Sequence, residues 1–526
     1  MSGIQGWKKH PAIAAAAIAG LFFLFGLVTL DDFGVTWDEP LHFQAGDLYL
    51  QRLLDPEEPA IFSEADFESD IQYYGPVFDI WGALNHRFFT VRLGLMEEDN
   101  ARHLHILVSA ALTIFFTTLL ASRAFSPRAG LFSGLFLAAF PRFVGHSFNN
   151  PKDIPLALVF VVCLYILFRR AESGKRGCSL LLIIAGGVGF AARIQYFLIP
   201  AVAILTIIIY ISIIKDNQRP IGKRLSSWWD VPGAFLLTVP MGMLLWPYFW
   251  SAPLERLRSM LEFYLHHREQ ARLLILYLGD FYTPGIDLPW HYVPVTLAVT
   301  TPLLTLGSSL VGLAVLAVLA GKKNRAVGTG FAACLVPAWI VLGLIPFMLP
   351  GQRVYGGIRH FLFVVPALCI AAGVGLDFIL SRLRGVLTYP ARAAAAILFL
   401  LLVISTYSYH PYYTVYYNKL VGGPRGAYGS FPLENWGNAY KAACRWLNRN
   451  APEGSVVLVL VAEQVPRWYL RPDITVLGPE SAHLPPEHYD YSLYIVRDLD
   501  LLLLPDHPPV FQIRVKNQPI CKIHQW

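Results

Sequence analysis

The stretch PAIAAAAIAGLFFLFGLVTL, Pro11 to Leu30, runs straight into Asp31 and Asp32 and then into Trp37-Asp38-Glu39-Pro40-Leu41-His42-Phe43. About 20 apolar residues behind Lys8 and Lys9 are enough to cross a bilayer as one helix. A cleaved signal peptide would have a shorter apolar core and a small-residue cleavage site, and Val28-Thr29-Leu30-Asp31-Asp32 offers a poor one, so the segment reads as a retained anchor. The acidic motif beyond it is the second clue. Hydrocarbon disfavours ionised groups, so two carboxylates and a histidine at the end of a span form a candidate site.

Working outward, the rest of the 526 residues repeats the first signal. With 55% hydrophobic and 15% charged residues and a mean hydropathy of +0.47, the composition is that of a polytopic α-helical membrane protein whose main partner is membrane lipid. The net charge of +6 is scattered through short connectors with no basic stripe, which excludes a nucleic-acid partner. Apolar runs near 11–30, 104–121, 130–147, 154–169, 179–195, 197–214, 232–249, 292–320, 328–349, 360–380 and 392–409 predict about eleven transmembrane helices. Connectors carrying Lys8 and Lys9, Arg123 and Arg128, Arg169 to Arg176, Lys215 to Arg224, Lys322 to Arg325 and Arg382 to Arg392 are cytoplasmic by the positive-inside rule. The N-terminus is then cytoplasmic, and an odd number of crossings makes the C-terminal region extracytoplasmic.

This divides the chain into a transmembrane domain, residues 1–409, and a small extracytoplasmic α/β domain, residues 410–526. In the latter a helix pattern covers Asn438 to Asn448, and strand-like runs cover Val456 to Val461, Ile474 to Leu477, Ser492 to Val496 and Val510 to Val515. The long external loop 31–102 holds two helical patterns, Leu41, Ala45, Leu48, Tyr49 and Val77, Phe78, Trp81, Leu84, Phe88. They read either as juxtamembrane helices on the bilayer surface or as helices packed on their own loop. Six dispersed cysteines make no CxxC pair; only Cys444 and Cys521 are placed for a bridge, and two separate buried thiols fit as well.

Polar and charged groups collect at the external ends of the spans, while the midplane stays almost free of them. That pattern disfavours an ion pathway and suits a substrate with its tail in lipid and its head outside. Sugar transfer from a lipid phosphate needs one base and positive charge for the departing phosphate. Asp38 or Glu39 supplies the first, and Lys152, Arg193, Arg353 and Arg359 the second. Each also has a purely structural reading: Asp38 and Glu39 as an acidic cap before Pro40, and Asp153, beside Asn150, as a cap for the span that follows. His42, Asn150, Tyr282, Tyr355 and His360 complete the candidate substrate contacts. A divalent metal (Mg, Mn or Zn) held by Asp38, Asp153 and His266 stays open. His267 and His291 are weaker candidates of the same kind.

The acidic motif, Asn150-Pro151-Lys152-Asp153, Leu288-Pro289-Trp290-His291-Tyr292, Gly356-Gly357-Ile358-Arg359-His360, and the segment from His410-Pro411-Tyr412-Tyr413 through Asn418, Gly422-Gly423 and Trp436-Gly437 together resemble the GT-C membrane glycosyltransferases. The nearer likeness is to the family 39-like branch of protein O-mannosyltransferases and aminoarabinose transferases. The resemblance implies inverting transfer from a polyprenyl-phosphate sugar to a lipid, glycan or protein acceptor. It also implies a base at Asp38, a site residue at Asp153, and a bacterial inner (plasma) membrane location. A non-catalytic carrier or flippase for lipid-linked glycans, or a polymer ligase, is the competing class.

Overall fold

The computed structural model describes residues 11–55, 62, 66, 70–213, 227–266, 274–322, 326–383, 388–496 and 508–526. Among the described residues eight helices are long and apolar enough to cross a membrane: Pro11–Asp32, Glu98–Ala124, Asp153–Ser173, Ile194–Ile213, Leu303–Gly321, Val327–Met348, Arg359–Arg382 and Tyr389–Tyr407. Two shorter apolar helices, Cys178–Phe190 and Asp230–Leu244, cover two more of the expected spans. The chain is an integral membrane protein.

Two expected spans break. Pro141 and Pro302 each lack the N–H that a continuing helix needs, so 130–147 divides into Pro127–Ala138 and Pro141–Asn149, and 292–320 into Tyr292–Thr300 and Leu303–Gly321. The single spans read from those runs are corrected accordingly. The break at Pro141 matters most, because the short second helix drops the chain into the tight turn that carries Asn150, Lys152 and Asp153.

At the end of the bundle that receives the acidic motif, α1 (Pro11–Thr29) leads into α2 (Glu39–Leu54), and a loop returns as α3 (Val77–Asn85) against α4 (Glu98–Ala124). Phe43, Ala45, Tyr49 and Leu50 form the buried face of α2. The two helices pack on each other and on the bundle, with Leu84, Phe88, Val91, Leu93 and Leu95 left exposed beyond them. At the opposite end, cationic connectors are tied down by Arg123–Glu172 (3.6 Å), Arg128–Asp377 (2.9 Å) and Arg170–Asp230 (2.8 Å).

The C-terminal part builds a five-stranded sheet from β1 (Val456–Val459), β2 (Thr475–Leu477), β3 (Tyr491–Ile495), β4 (Phe511–Val515) and β5 (Gln518–Gln525). Their order across the sheet is β2-β1-β3-β5-β4; β1 is parallel to both neighbours and β5 antiparallel to both of its own. The helix Tyr440–Asn450 packs on it. The strand Gln518–Gln525 had no sequence signal, since Pro519 and alternating polar residues obscure it. Cys444 and Cys521 are separate buried thiols rather than a bridge.

Candidate functional site

Four segments meet at one point: the start of α2, the turn after Asn149, the Arg193 turn before Ile194–Phe197, and the loop leading to Arg359. Asp38 occupies the N-cap position of α2, yet its carboxylate makes no cap hydrogen bond. It accepts instead from Lys152 Nζ and Arg359 Nη1, each at 2.9 Å. Burial alone would raise the Asp38 carboxyl; the charges of Lys152 and Arg359 overrule it and hold it far below the usual carboxylate range. Lys152 shows the converse: burial, helped by Arg359 and Arg193, outweighs the attraction of Asp38 and moves its ammonium below the ordinary lysine value.

Arg359 is held by two rings, its guanidinium carbon 4.7 Å from the centroid of Tyr355 and 4.7 Å from that of Trp436. The loop before it can fold this tightly because Gly356 and Gly357 sit at φ +69 and +70°, in the left-handed region that side chains avoid. Arg193 pairs with the buried Asp153, and Asn150 Nδ2 donates to the same carboxylate at 2.9 Å. Asn150 Oδ1 accepts from the Lys152 and Asp153 N–H groups, so Asn150 caps the helix start and leaves Asp153 to hold Arg193. The approach is set by Gly75, where a Cβ would overlap the Ala191 carbonyl.

Two cavities share this cluster. The first, about 380 Å³, is lined by Lys152, Arg193, Arg353, Arg359 and His360, by Tyr74 and Tyr264, and on another side by Phe197, Leu198, Pro346 and Phe347. Phe197 is exposed, and with Leu198, Pro346 and Phe347 it gives this cavity an apolar edge. The second, about 230 Å³, lies across the Tyr355–Arg359 wall and contains Asp38, Trp37, Asn435 and Trp436.

The neighbouring carboxylate points elsewhere. Glu39 is fully buried: Oε2 accepts from the Thr36 N–H (2.7 Å) and hydroxyl (3.0 Å), and Oε1 lies 2.9 Å from His103 Nε2. His42 is likewise buried, its Nδ1 2.8 Å from Asp79. Tyr282 lies on the Ile275–Tyr277/Asp280–Tyr282 hairpin, 6.1 Å from the Tyr277 ring, and lines neither cavity. His291 pairs with the Tyr277 hydroxyl at 2.6 Å. His266 closes the helix Pro253–His266, and its side chain, like His267, lies outside the described residues. Of the expected metal set, Asp38 and Asp153 each face cations, and among the described residues no three His, Cys, Asp or Glu side chains come together.

Sequence reading passed over Tyr74, Asn435 and Trp436 as site residues. Trp436-Gly437 stood within a recognised segment, but nothing local showed that it would reach Arg359. Glu434 places it, its buried carboxylate accepting from the Trp436 N–H (2.7 Å) and Gly437 N–H (3.1 Å).

A family profile described as dolichyl-phosphate-mannose-protein mannosyltransferase matches residues 88–246, which include Lys152, Asp153 and Arg193. Over nearly its full length the structure superposes on ArnT from Cupriavidus metallidurans in the apo state, at 15% identity and a TM-score of 0.53, covering 99% of this chain and 98% of that one. The same protein bound to undecaprenyl phosphate gives 15% and 0.51, covering 97% of each chain. The chain has the GT-C glycosyltransferase fold. A second GT-C structure, the archaeal oligosaccharyltransferase AglB from Archaeoglobus fulgidus with an inhibitory peptide and a dolichol-phosphate, matches at 12% and 0.51, covering 93% of this chain and 70% of that one. No curated protein matches significantly.

Proposed function

We propose that this protein is an inverting glycosyltransferase that takes a sugar from a polyprenyl-phosphate donor, with Asp38 as the base. The observation that carries this reading is the Asp38 carboxylate, 2.9 Å from both Lys152 and Arg359 where a cationic, apolar-edged cavity meets a second chamber. The donor phosphate enters the first cavity and its prenyl chain leaves past Phe197 and Phe347. The profile match and the lipid-phosphate complexes of the two similar structures support the same donor class. The extracytoplasmic position of the site, the cytoplasmic N-terminus and the bacterial inner membrane belong to this proposal.

An acceptor hydroxyl attacks the anomeric carbon from the side opposite the phosphate, and its proton passes to Asp38. The bond from that carbon to the phosphate oxygen breaks, the electron pair stays on the phosphate, and Lys152, Arg193 and Arg359 stabilise the added charge. Each ion contact of Asp38 yields ~4 kcal/mol at an effective dielectric near 20, against a desolvation cost of several kcal/mol per ion, so the triad sits near balance. The donor phosphodiester carries one negative charge, as the carboxylate does, and gains a second as its bond to the sugar breaks, so it draws the two cations from Asp38 as the transfer proceeds. Asp38 then regains basicity as the acceptor proton comes off.

The test is incubation of the purified protein in lipid with radiolabelled polyprenyl-phosphate sugars and candidate acceptors. Labelled product and released polyprenyl phosphate are expected. Transbilayer movement of the lipid with no covalent product would replace this reading with a carrier.

A further inference from the structure

The second cavity lies on the reactive side of the base. Asp38 lines this chamber rather than the cationic one, and Tyr355 and Arg359 form the wall between the two. A base must reach the proton of the nucleophile, so whatever occupies this chamber presents its hydroxyl to Asp38.

We propose that the chamber is the acceptor site and that it takes a neutral sugar ring, the terminal residue of a glycan; this rests on the donor reading of the first cavity. At about 230 Å³ it falls below the range of drug-sized ligand pockets and has room for one ring with its hydroxyls. Three aromatic side chains, Trp37, Tyr355 and Trp436, and the Asn435 amide supply apolar faces and a hydrogen-bonding group, the combination that suits alternating C–H and O–H surfaces. Asn435 makes no side-chain hydrogen bond among the described residues, so its amide is available to a ligand. The charged groups in the lining, Asp38 and Arg359, are paired with each other, leaving no surplus cation for an anionic headgroup. The chamber is also preorganised. The Trp37 N–H donates to the Trp436 carbonyl at 2.9 Å, and Gln464 Nε2 donates to the Trp37 carbonyl at 3.1 Å.

The experiment uses full-length protein in lipid nanodiscs with the methyl glycosides of neutral hexoses and pentoses as probes. Saturation-transfer NMR reads binding, and polyprenyl phosphate release from a labelled donor reads turnover. At least one glycoside is expected to bind saturably and to stimulate release. Asn435→Leu should raise the acceptor KM about tenfold while leaving the donor KM within about twofold, with Trp37→Phe giving a smaller rise. The proposal is overturned if no neutral glycoside binds, if a serine-containing peptide or an anionic glycolipid alone stimulates release, or if Asn435→Leu shifts the donor KM instead. Donor cleavage without glycoside binding breaks this inference alone. Glycoside binding without cleavage of any donor supports the sugar site and breaks the donor reading.

Discussion

Residues 31–42 carry two charged networks with different surroundings. On the cavity side, the half-open Asp38 is held by two cations from distant segments. On the packed side, Glu39 is enclosed by Thr36 and His103, and nearby Asp99 and Asp31 share Lys441 at 2.9 and 3.0 Å. Adjacent helical residues point about 100° apart, so one step along the chain separates the two carboxylates. The difference teaches that residue type does not set the role. A carboxylate whose partners are all buried groups of the fold is structure; one whose partners can be drawn off by an incoming anion is available for chemistry.

The comparison breaks most decisively at Asp38. Asp38→Asn should lower kcat by about 10³-fold, the contribution of a positioned base, with the thermal midpoint kept within a few degrees. Near-normal turnover by this variant in the radiolabel assay would remove the base. Arg359→Lys keeps the charge but loses the planar fork that lies over the Tyr355 and Trp436 rings, so kcat/KM should fall roughly 10- to 100-fold. Glu39→Gln should give the opposite signature, a loss of about 1–3 kcal/mol in thermal or denaturant unfolding with turnover per folded molecule within a few fold. A large kcat loss at unchanged stability would move Glu39 into the reacting site.

The pH dependence sharpens the same contrast. The Asp38 pKa is depressed, so its stabilising contribution is present above the ordinary carboxylate value and lost only in strong acid; no acid limb from Asp38 is expected in the neutral range. Lys152 is lowered, so it sheds its proton as pH rises through a value below the ordinary lysine range, and kcat/KM should decline on that alkaline side. Lys152→Arg should move the decline to higher pH; an unmoved limb would mean that another group titrates there.

Much of the site was legible because an ionised side chain at the end of an apolar run is a local signal. Asp38, Lys152, Arg193, Arg353, Arg359 and His360 all stood out that way, and all lie at the two cavities. The division of labour between Asp38 and Glu39 was not legible, because it depends on His103, which reaches Glu39 from another helix. Asn150 read as a substrate contact, and its role as a cap appears only with the geometry of the turn. The fold was legible in its apolar runs and misread where hydropathy averaged over Pro141 and Pro302, although both prolines were there to be read.

The loop that presents Asp38 is gripped from the far end of the chain. Asn438 Oδ1 accepts from the Gly34 N–H (2.7 Å), the Tyr469 hydroxyl from the Val35 N–H (2.7 Å), and Lys441 Nζ donates to the Phe33 carbonyl (3.3 Å). Residues beyond 430 therefore act as a jig for residues 33–38. Exchanging this terminal module with that of another protein of the same fold would misalign the carboxylate unless the matching stretch of the first loop travelled with it.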